Sequence, residues 1–275
     1  MILGVQAHHS SPTVLVCAGH DPTGRAGIDA DREAVVAGGG NPWPVVTTDT
    51  QQAGGRVLEV TPRAEADWEP LAMDAIRGGT VAVKFGLLAR AQAVSAAARL
   101  ARAQLSVAPS SWVVVDPVLA ASGGERFLDQ EGVRALLEEL IPAGVVLTPN
   151  LPELAELTGS EPRELDADVA AQVAAAGRLI ERGARAVCVK GGHGRLAAAG
   201  GEPQVVDLLV CPAHGPERRP RVARAARPRV PGPGIRGSGC RFASFLAACA
   251  ARGEPLDRAF ASAGEWVARA IAAAP

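Results

Sequence analysis

Gly237-Ser238-Gly239-Cys240 stands directly before a segment of helical period, Arg241–Arg252. Small residues ahead of a helix leave backbone N–H groups open, and the helix dipole adds partial positive charge there. The segment therefore predicts an anion hole suited to a phosphate in transfer. A cysteine at such a terminus is expected to have a lowered pKa, so the Cys240 thiolate could act as general base or nucleophile. The competing reading is a plain glycine-rich turn over a buried thiol.

Further groups with chemical potential follow other apolar runs. Asp116 comes after Val113-Val114-Val115, and Asn150 and Glu153 lie in Thr-Pro-Asn-Leu-Pro-Glu. Carboxylates and an amide at strand ends suit Mg²⁺ held partly through water. Helix capping accounts for the Asn150–Glu153 spacing equally well. Lys84 and Lys190 are the lysines of a chain that otherwise uses arginine, in Val-Lys-Phe-Gly and Val-Lys-Gly-Gly. Their matching positions predict shared surroundings, and Gly191 and Gly192 would let a nucleotide lie against the backbone. Walker A spacing is absent, and a lysine snorkelling from a sheet edge is the alternative. In the loop Ala18–Asp31, Gly19, Gly24 and Gly27 permit tight turning and close approach to a ligand. Asp31 falls one turn into the next helix. Gln52 closes Thr47–Gln52, and its amide suits the edge of a nitrogen heterocycle, unless the segment is only an exposed turn.

These groups need a frame that brings strand ends together. Apolar runs predict strands near Val14–Cys17, Val45–Thr48, Val81–Phe85, Trp112–Val115, Val145–Thr148, Ala186–Val189 and Val205–Val210. Helical periods fall near Ala26–Ala37, Ala64–Arg77, Arg90–Ala103, Asp129–Leu140, Ala167–Arg182, Arg241–Arg252 and Leu256–Ala273. Several strand runs are continuously apolar, as parallel strands covered on both faces require. The alternation predicts an α/β layered fold, and no linker divides residues 1–275, so one domain is expected. Ligands of such sheets sit beyond the carboxyl ends of the strands.

Composition narrows the function classes. With 28 Lys+Arg against 29 Asp+Glu, the net charge of −1 gives no general reason to bind nucleic acid or an acidic membrane. No apolar run reaches the roughly 18 residues of a membrane span. Met1–Ser10 lacks the basic start and apolar stretch of a secretory signal, which predicts a cytoplasmic protein. Cys17, Cys188, Cys211, Cys240 and Cys249 are scattered without a CxxC pair, which argues against zinc and a disulfide framework. Residues 213–236 carry His214, Arg218, Arg219, Arg221, Arg224, Arg227, Arg229 and Arg236 among prolines. Without an interleaved aromatic, they read as a solvated edge hairpin or loop rather than a nucleic-acid patch.

Taken together, AGHDPTGRAGIDAD, VVTTDTQQ, KFGLL, VVDPVLAASGG, TPNLPELAELTG, VKGGH and GSGC resemble the hydroxymethylpyrimidine/phosphomethylpyrimidine kinases of thiamine biosynthesis, within the ribokinase-like superfamily. The resemblance runs from about Val14 to about Ala270. It implies a three-layer α/β/α domain with a mostly parallel sheet, using ATP and Mg²⁺. It also implies phosphorylation of the pyrimidine hydroxymethyl group and then of the monophosphate. A small-molecule pyrimidine and ATP would be its partners, with a homodimer compatible and neither nucleic acid nor membrane involved.

By position, Asp31 and Gln52 resemble the pyrimidine-binding pair, with Gly19 in the adjoining loop and Leu87 where a methionine is usual. Asn150 and Glu153 resemble the element that organises Mg²⁺ and phosphates. Lys190, Gly191 and Gly192, together with Asp116, fall at the nucleotide site. Gly237, Ser238 and Gly239 match the anion hole and Cys240 the catalytic cysteine. The chain departs from the pattern at Arg25, at Ala121-Ser122-Gly123-Gly124-Glu125, which lacks a usual lysine, and at Ile235-Arg236 and Arg241. Arg236 and Arg241 could supply charge for phosphate, or mark a drifted substrate. A pyridoxal kinase, and a non-catalytic pyrimidine-binding homologue, are the alternatives; a GxSxG hydrolase is disfavoured.

Overall fold

Six consecutive residues of β1 (Thr13–His20), Val14 to Gly19, are buried, because this strand lies inside a sheet covered on both faces. The computed structural model describes residues 11–53, 56–121, 123–194, 203–213, 220–232 and 234–274. Met1–Ser10, Ser122, His214, Arg218 and Arg219 lie outside the described residues. In chain order the strands are β1, β2 (Asn41–Ala53), β3 (Arg56–Pro62), β4 (Ala82–Phe85), β5 (Trp112–Val115), β6 (Val146–Leu147), β7 (Ala186–Val189), β8 (Gln204–Cys211) and β9 (Arg221–Pro228). The helices are α1 (Gly27–Ala37), α2 (Glu65–Arg77), α3 (Ala91–Val107), α4 (Gln130–Ala135), α5 (Leu151–Thr158), α6 (Pro162–Ala167), α7 (Val169–Glu181), α8 (Ser238–Ala251) and α9 (Leu256–Ala272).

The sheet order is β3-β2-β1-β4-β5-β6-β7-β8-β9. Strands β2, β1 and β4 to β7 are parallel, and β3, β8 and β9 run antiparallel to their neighbours. Side-chain alternation sorts the strands' apolar residues onto two faces. Leu15, Cys17, Val83, Phe85, Val113 and Val115 pack under α2, α3, α5 and α7. Val14, Val16, Ala82, Val114, Val146 and Cys188 pack under α1, α8 and α9. This is the expected three-layer α/β/α arrangement. The chain leaves β1 toward β2 on one side and β4 on the other, so a crevice opens at their carboxyl ends.

Several elements differ from the sequence expectation, and α5, α6 and β9 are regular elements where the apolar and helical runs mark none. β3 was not anticipated because it buries almost nothing; its Leu58 is exposed. β2 runs beyond its pairing with β1, which ends at Asp49, and Thr50–Ala53 pair with β3 alone. The result is a two-stranded flap overhanging the crevice. The expected helix Asp129–Leu140 is α4 followed by a π-helical turn over Leu136–Leu140 and a 3-10 turn over Ile141–Ala143, which ends at Gly144 in the left-handed region. Among the described residues no helix is long and apolar enough to cross a membrane.

Candidate active site

A cavity of about 600 Å³ lies at the carboxyl edge of the sheet, under the β2–β3 flap and between β9 and α9. At its centre is the first turn of α8. Gly237 precedes the helix in the left-handed region, with φ +72°. A side chain there would also press on Arg25 and Ala26 of the loop after β1. Only glycine meets both demands. No side chain caps α8. Among the described residues the N–H groups of Ser238, Gly239 and Cys240, which line the cavity, have no protein acceptor, the arrangement an anion site would need.

Cys240 lines the same cavity, but its expected low pKa is overturned: burial pushes the thiol up to about 12. Lys84 and the Gly27 N–H pull it down, while Asp31 and Asp116 push it further up. Desolvation of a thiolate outweighs the partial charge of a helix terminus. The thiol therefore holds its proton at rest.

Asp31 is the second correction. It was expected against the pyrimidine, yet it does not line the cavity. Its side chain is wholly buried, its Oδ1 accepting from Lys84 Nζ at 2.7 Å and from Ser244 Oγ at 2.8 Å. Burial raises the Asp31 pKa against the pull of Lys84. Burial works to lower the Lys84 ammonium, but the charges of Asp31 and Asp116 override it and hold it above its usual range. Lys84 is thus a core cation rather than a snorkelling one. The parallel placement of the two lysines has a physical counterpart, since Lys190 Nζ donates to Asp116 Oδ1 at 2.6 Å. These two pairs flank the start of α8.

Asn150 and Glu153 form a reciprocal cap on α5. Asn150 Oδ1 accepts from the Glu153 N–H at 2.8 Å, and Glu153 Oε2 accepts from the Asn150 N–H at 2.7 Å. Both line the cavity all the same. Burial pushes Glu153 up to about 7, against the pull of Lys190, whose Nζ is 3.9 Å away. No cluster of three or more metal-ligating side chains exists among the described residues. Asp116 Oδ2 and Glu153 Oε1 nonetheless lack hydrogen-bond partners there. Two such carboxylates fit a Mg²⁺ ion held chiefly by phosphates and reached through water.

At the β8–β9 end, Lys190 and Gly192 line the cavity and Gly191 does not. The Gly191 N–H is spent on Asp207 Oδ1 at 2.8 Å, and a side chain there would collide with the Val206 carbonyl. Gly191 serves packing against β8, which corrects its expected nucleotide contact. Asp207, which nothing in the sequence singles out, joins Arg227 and Arg229 here. Buried Asp207 also holds Arg227 Nη1 at 2.6 Å, and Arg229 grips the Gly192 and Gly194 carbonyls at 2.6 Å each. The arginine-rich segment is therefore not wholly solvated as its composition predicts, since alternation along β9 turns Arg227 inward. Val205, Val230, Val267 and Ile271 supply an apolar wall.

At the flap end, Gly19, Gln52 and Leu87 all line the cavity. Gln52 Nε2 donates to Thr50 Oγ1 at 2.9 Å, and its Oε1 accepts from Arg236. Arg241 does not reach the cavity. It is tied to Glu33 at 2.7 Å and to the Arg25 and Arg236 carbonyls at 2.9 and 2.8 Å, so it braces loops rather than facing a phosphate.

A family model described as phosphomethylpyrimidine kinase matches residues 21–275. The multifunctional thiamine biosynthesis protein ThiED of Corynebacterium efficiens is 35% identical over 263 residues, 95% of this chain. The chain spans about a third (33%) of that relative's length. The hydroxymethylpyrimidine/phosphomethylpyrimidine kinase of Haemophilus influenzae is 32% identical over 262 residues, covering 94% of this chain and 90% of that one. An ADP complex of Bacillus subtilis pyridoxal kinase shares the fold with a TM-score of 0.80 and 24% identity, covering 96% and 93% of the two chains.

Proposed function

The chain belongs to the phosphomethylpyrimidine kinase family, and from that premise we propose that it phosphorylates 4-amino-5-hydroxymethyl-2-methylpyrimidine and then its monophosphate with ATP. The observation that carries the reading is the row of open N–H donors at the start of α8, set between two differently built ends of one cavity. The β8–β9 end, with Lys190, Gly192, Arg229 and an apolar wall, suits a nucleotide. The flap end, with Gly19, Gln52 and Leu87, suits a flat heterocycle whose ring edge needs a donor and an acceptor.

In this reading the acceptor oxygen forms a bond to the γ-phosphorus, the bond to the β–γ bridging oxygen breaks, and ADP leaves. Charge gathers on the transferring group, and the Ser238, Gly239 and Cys240 N–H groups meet it without reorganising. Lys190, oriented by Asp116, places a cation beside the same oxygens. Mg²⁺ carried in with ATP would neutralise further charge, with Asp116 and Glu153 reaching it through water. For the alcohol acceptor a proton must also be taken up. The Cys240 thiolate does this as a small but strongly basic fraction. The phosphate acceptor is already ionised and needs no base.

A coupled ATP-consumption assay across the hydroxymethylpyrimidine, its monophosphate and pyridoxal tests the proposal. Turnover of both pyrimidines is expected. Turnover of pyridoxal alone, or of none of the three, overturns it.

A further inference from the structure

Arg236 stands one residue before Gly237 and lines the flap end of the cavity, beside the open donors of α8. It is half-buried, and its one side-chain partner among the described residues is the neutral Gln52 amide oxygen. The other cations of the neighbourhood are matched to carboxylates. Lys84 is paired with Asp31, Lys190 with Asp116, Arg227 with Asp207 and Arg241 with Glu33. Two others have no carboxylate partner: Arg229, at the opposite end, is anchored by two backbone carbonyls, and Arg25, in the loop after β1, is exposed and does not line the cavity.

A guanidinium has five N–H donors in a planar fork that fits phosphate oxygens in pairs. Held by one neutral acceptor and partly removed from water, it gains most from a ligand that is itself an anion. The nucleotide's phosphates are served from the Lys190 side. Beyond the transferring group itself, an anion at the flap end would come from the acceptor.

We propose that Arg236 is a specificity-determining residue that selects the phosphorylated acceptor over the alcohol, exchanging Gln52 for the acceptor's phosphomonoester. The inference rests on the kinase reading above and assigns its second step a residue of its own. In that step a non-bridging oxygen of the monophosphate bonds to the γ-phosphorus of ATP. The γ-phosphorus–bridging-oxygen bond breaks, ADP leaves, and the organic product is a diphosphate. Two phosphoryl groups then crowd one place, and Arg236 and the α8 donors offset their charge from two sides. With the alcohol bound there is no acceptor charge to meet, and Arg236 stays on Gln52, steadying the amide that faces the ring.

Arg236→Gln and Arg236→Lys test this through the ratio of kcat/KM for the pyrimidine monophosphate to that for the pyrimidine alcohol. The ratio is expected to fall about 10- to 100-fold in Arg236→Gln, the worth of a charge-assisted contact. Arg236→Lys should fall less, because it keeps the charge and loses the fork. A ratio within twofold of wild type in both variants overturns the proposal, whatever happens to either rate alone. Calorimetric titration of the monophosphate reads Arg236 without turnover. Equal affinity in wild type and Arg236→Gln also overturns the proposal, whereas a wild type that turns over neither pyrimidine but binds the monophosphate through Arg236 overturns only the kinase reading.

Discussion

Replacing Glu153 by Gln should change how stability depends on pH, by an amount the structure supplies. Burial pushes the Glu153 carboxyl from an ordinary 4.5 up to about 7 in the folded protein. Between those limits the native state holds a proton that the unfolded chain has already lost. Stability therefore falls as pH rises from about 4.5 to about 7, and Glu153 adds no slope outside that window. Each pH unit is worth about 1.4 kcal/mol, so the window carries about 3 kcal/mol. Glutamine keeps an oxygen to accept the Asn150 N–H and does not titrate, so the variant lacks this slope. Wild type and variant should then diverge across the window, the variant gaining about 6–12 °C in Tm relative to wild type for a chain of this size. Calorimetric melts in chelator, without nucleotide, from about pH 4.5 to about pH 8 would read it. Asp31, also raised by burial, titrates in both proteins and cancels in the difference. Lys190, held above its ordinary range once Asp116 and Glu153 offset the effect of burial, stays charged throughout. Tm curves that run parallel, within about 2 °C, would refute the reasoning.

Two further outcomes follow from the groups around α8. Asp31→Asn leaves the wholly buried Lys84 ammonium without its hydrogen-bonded countercharge, only the more distant Asp116 remaining, so denaturant unfolding should show a loss of about 3–5 kcal/mol; a loss below about 1 kcal/mol would show that the pair is not held as described. At near-neutral pH Cys240 should react with iodoacetamide about 10³-fold more slowly than a free thiol, since its thiolate is that much scarcer. Cys240→Ala supplies the blank, and a rate within tenfold of the free thiol would contradict the burial argument. Alcohol phosphorylation carried by that thiolate should climb with pH from about 6 to about 9 without a plateau, which a rate profile would show; a levelling near about 8.5 would contradict the raised pKa.

What the residues determine unaided is what acts over short stretches of chain. Val14–Ala18 and Trp112–Val115 are continuously apolar because strands covered on both faces have no wet side, and that pattern is visible in one dimension. Glycine and serine before an apolar helix open an N-terminus wherever the helix is put. Asn150 and Glu153, three residues apart, cap their helix through contacts that one turn encloses. Tertiary structure decided everything that depends on which strand lies beside which. Lys84 takes Asp31 from 53 residues away, Arg236 takes Gln52 from 184 away, and Gly191 turns its N–H to Asp207 on β8 rather than to the cavity. Those pairings also fix how far each charge is removed from water. The helix terminus at Cys240 promised a low pKa, and burial set a high one, because the cost of desolvating a thiolate is imposed by the surrounding layers and not by its neighbours in sequence.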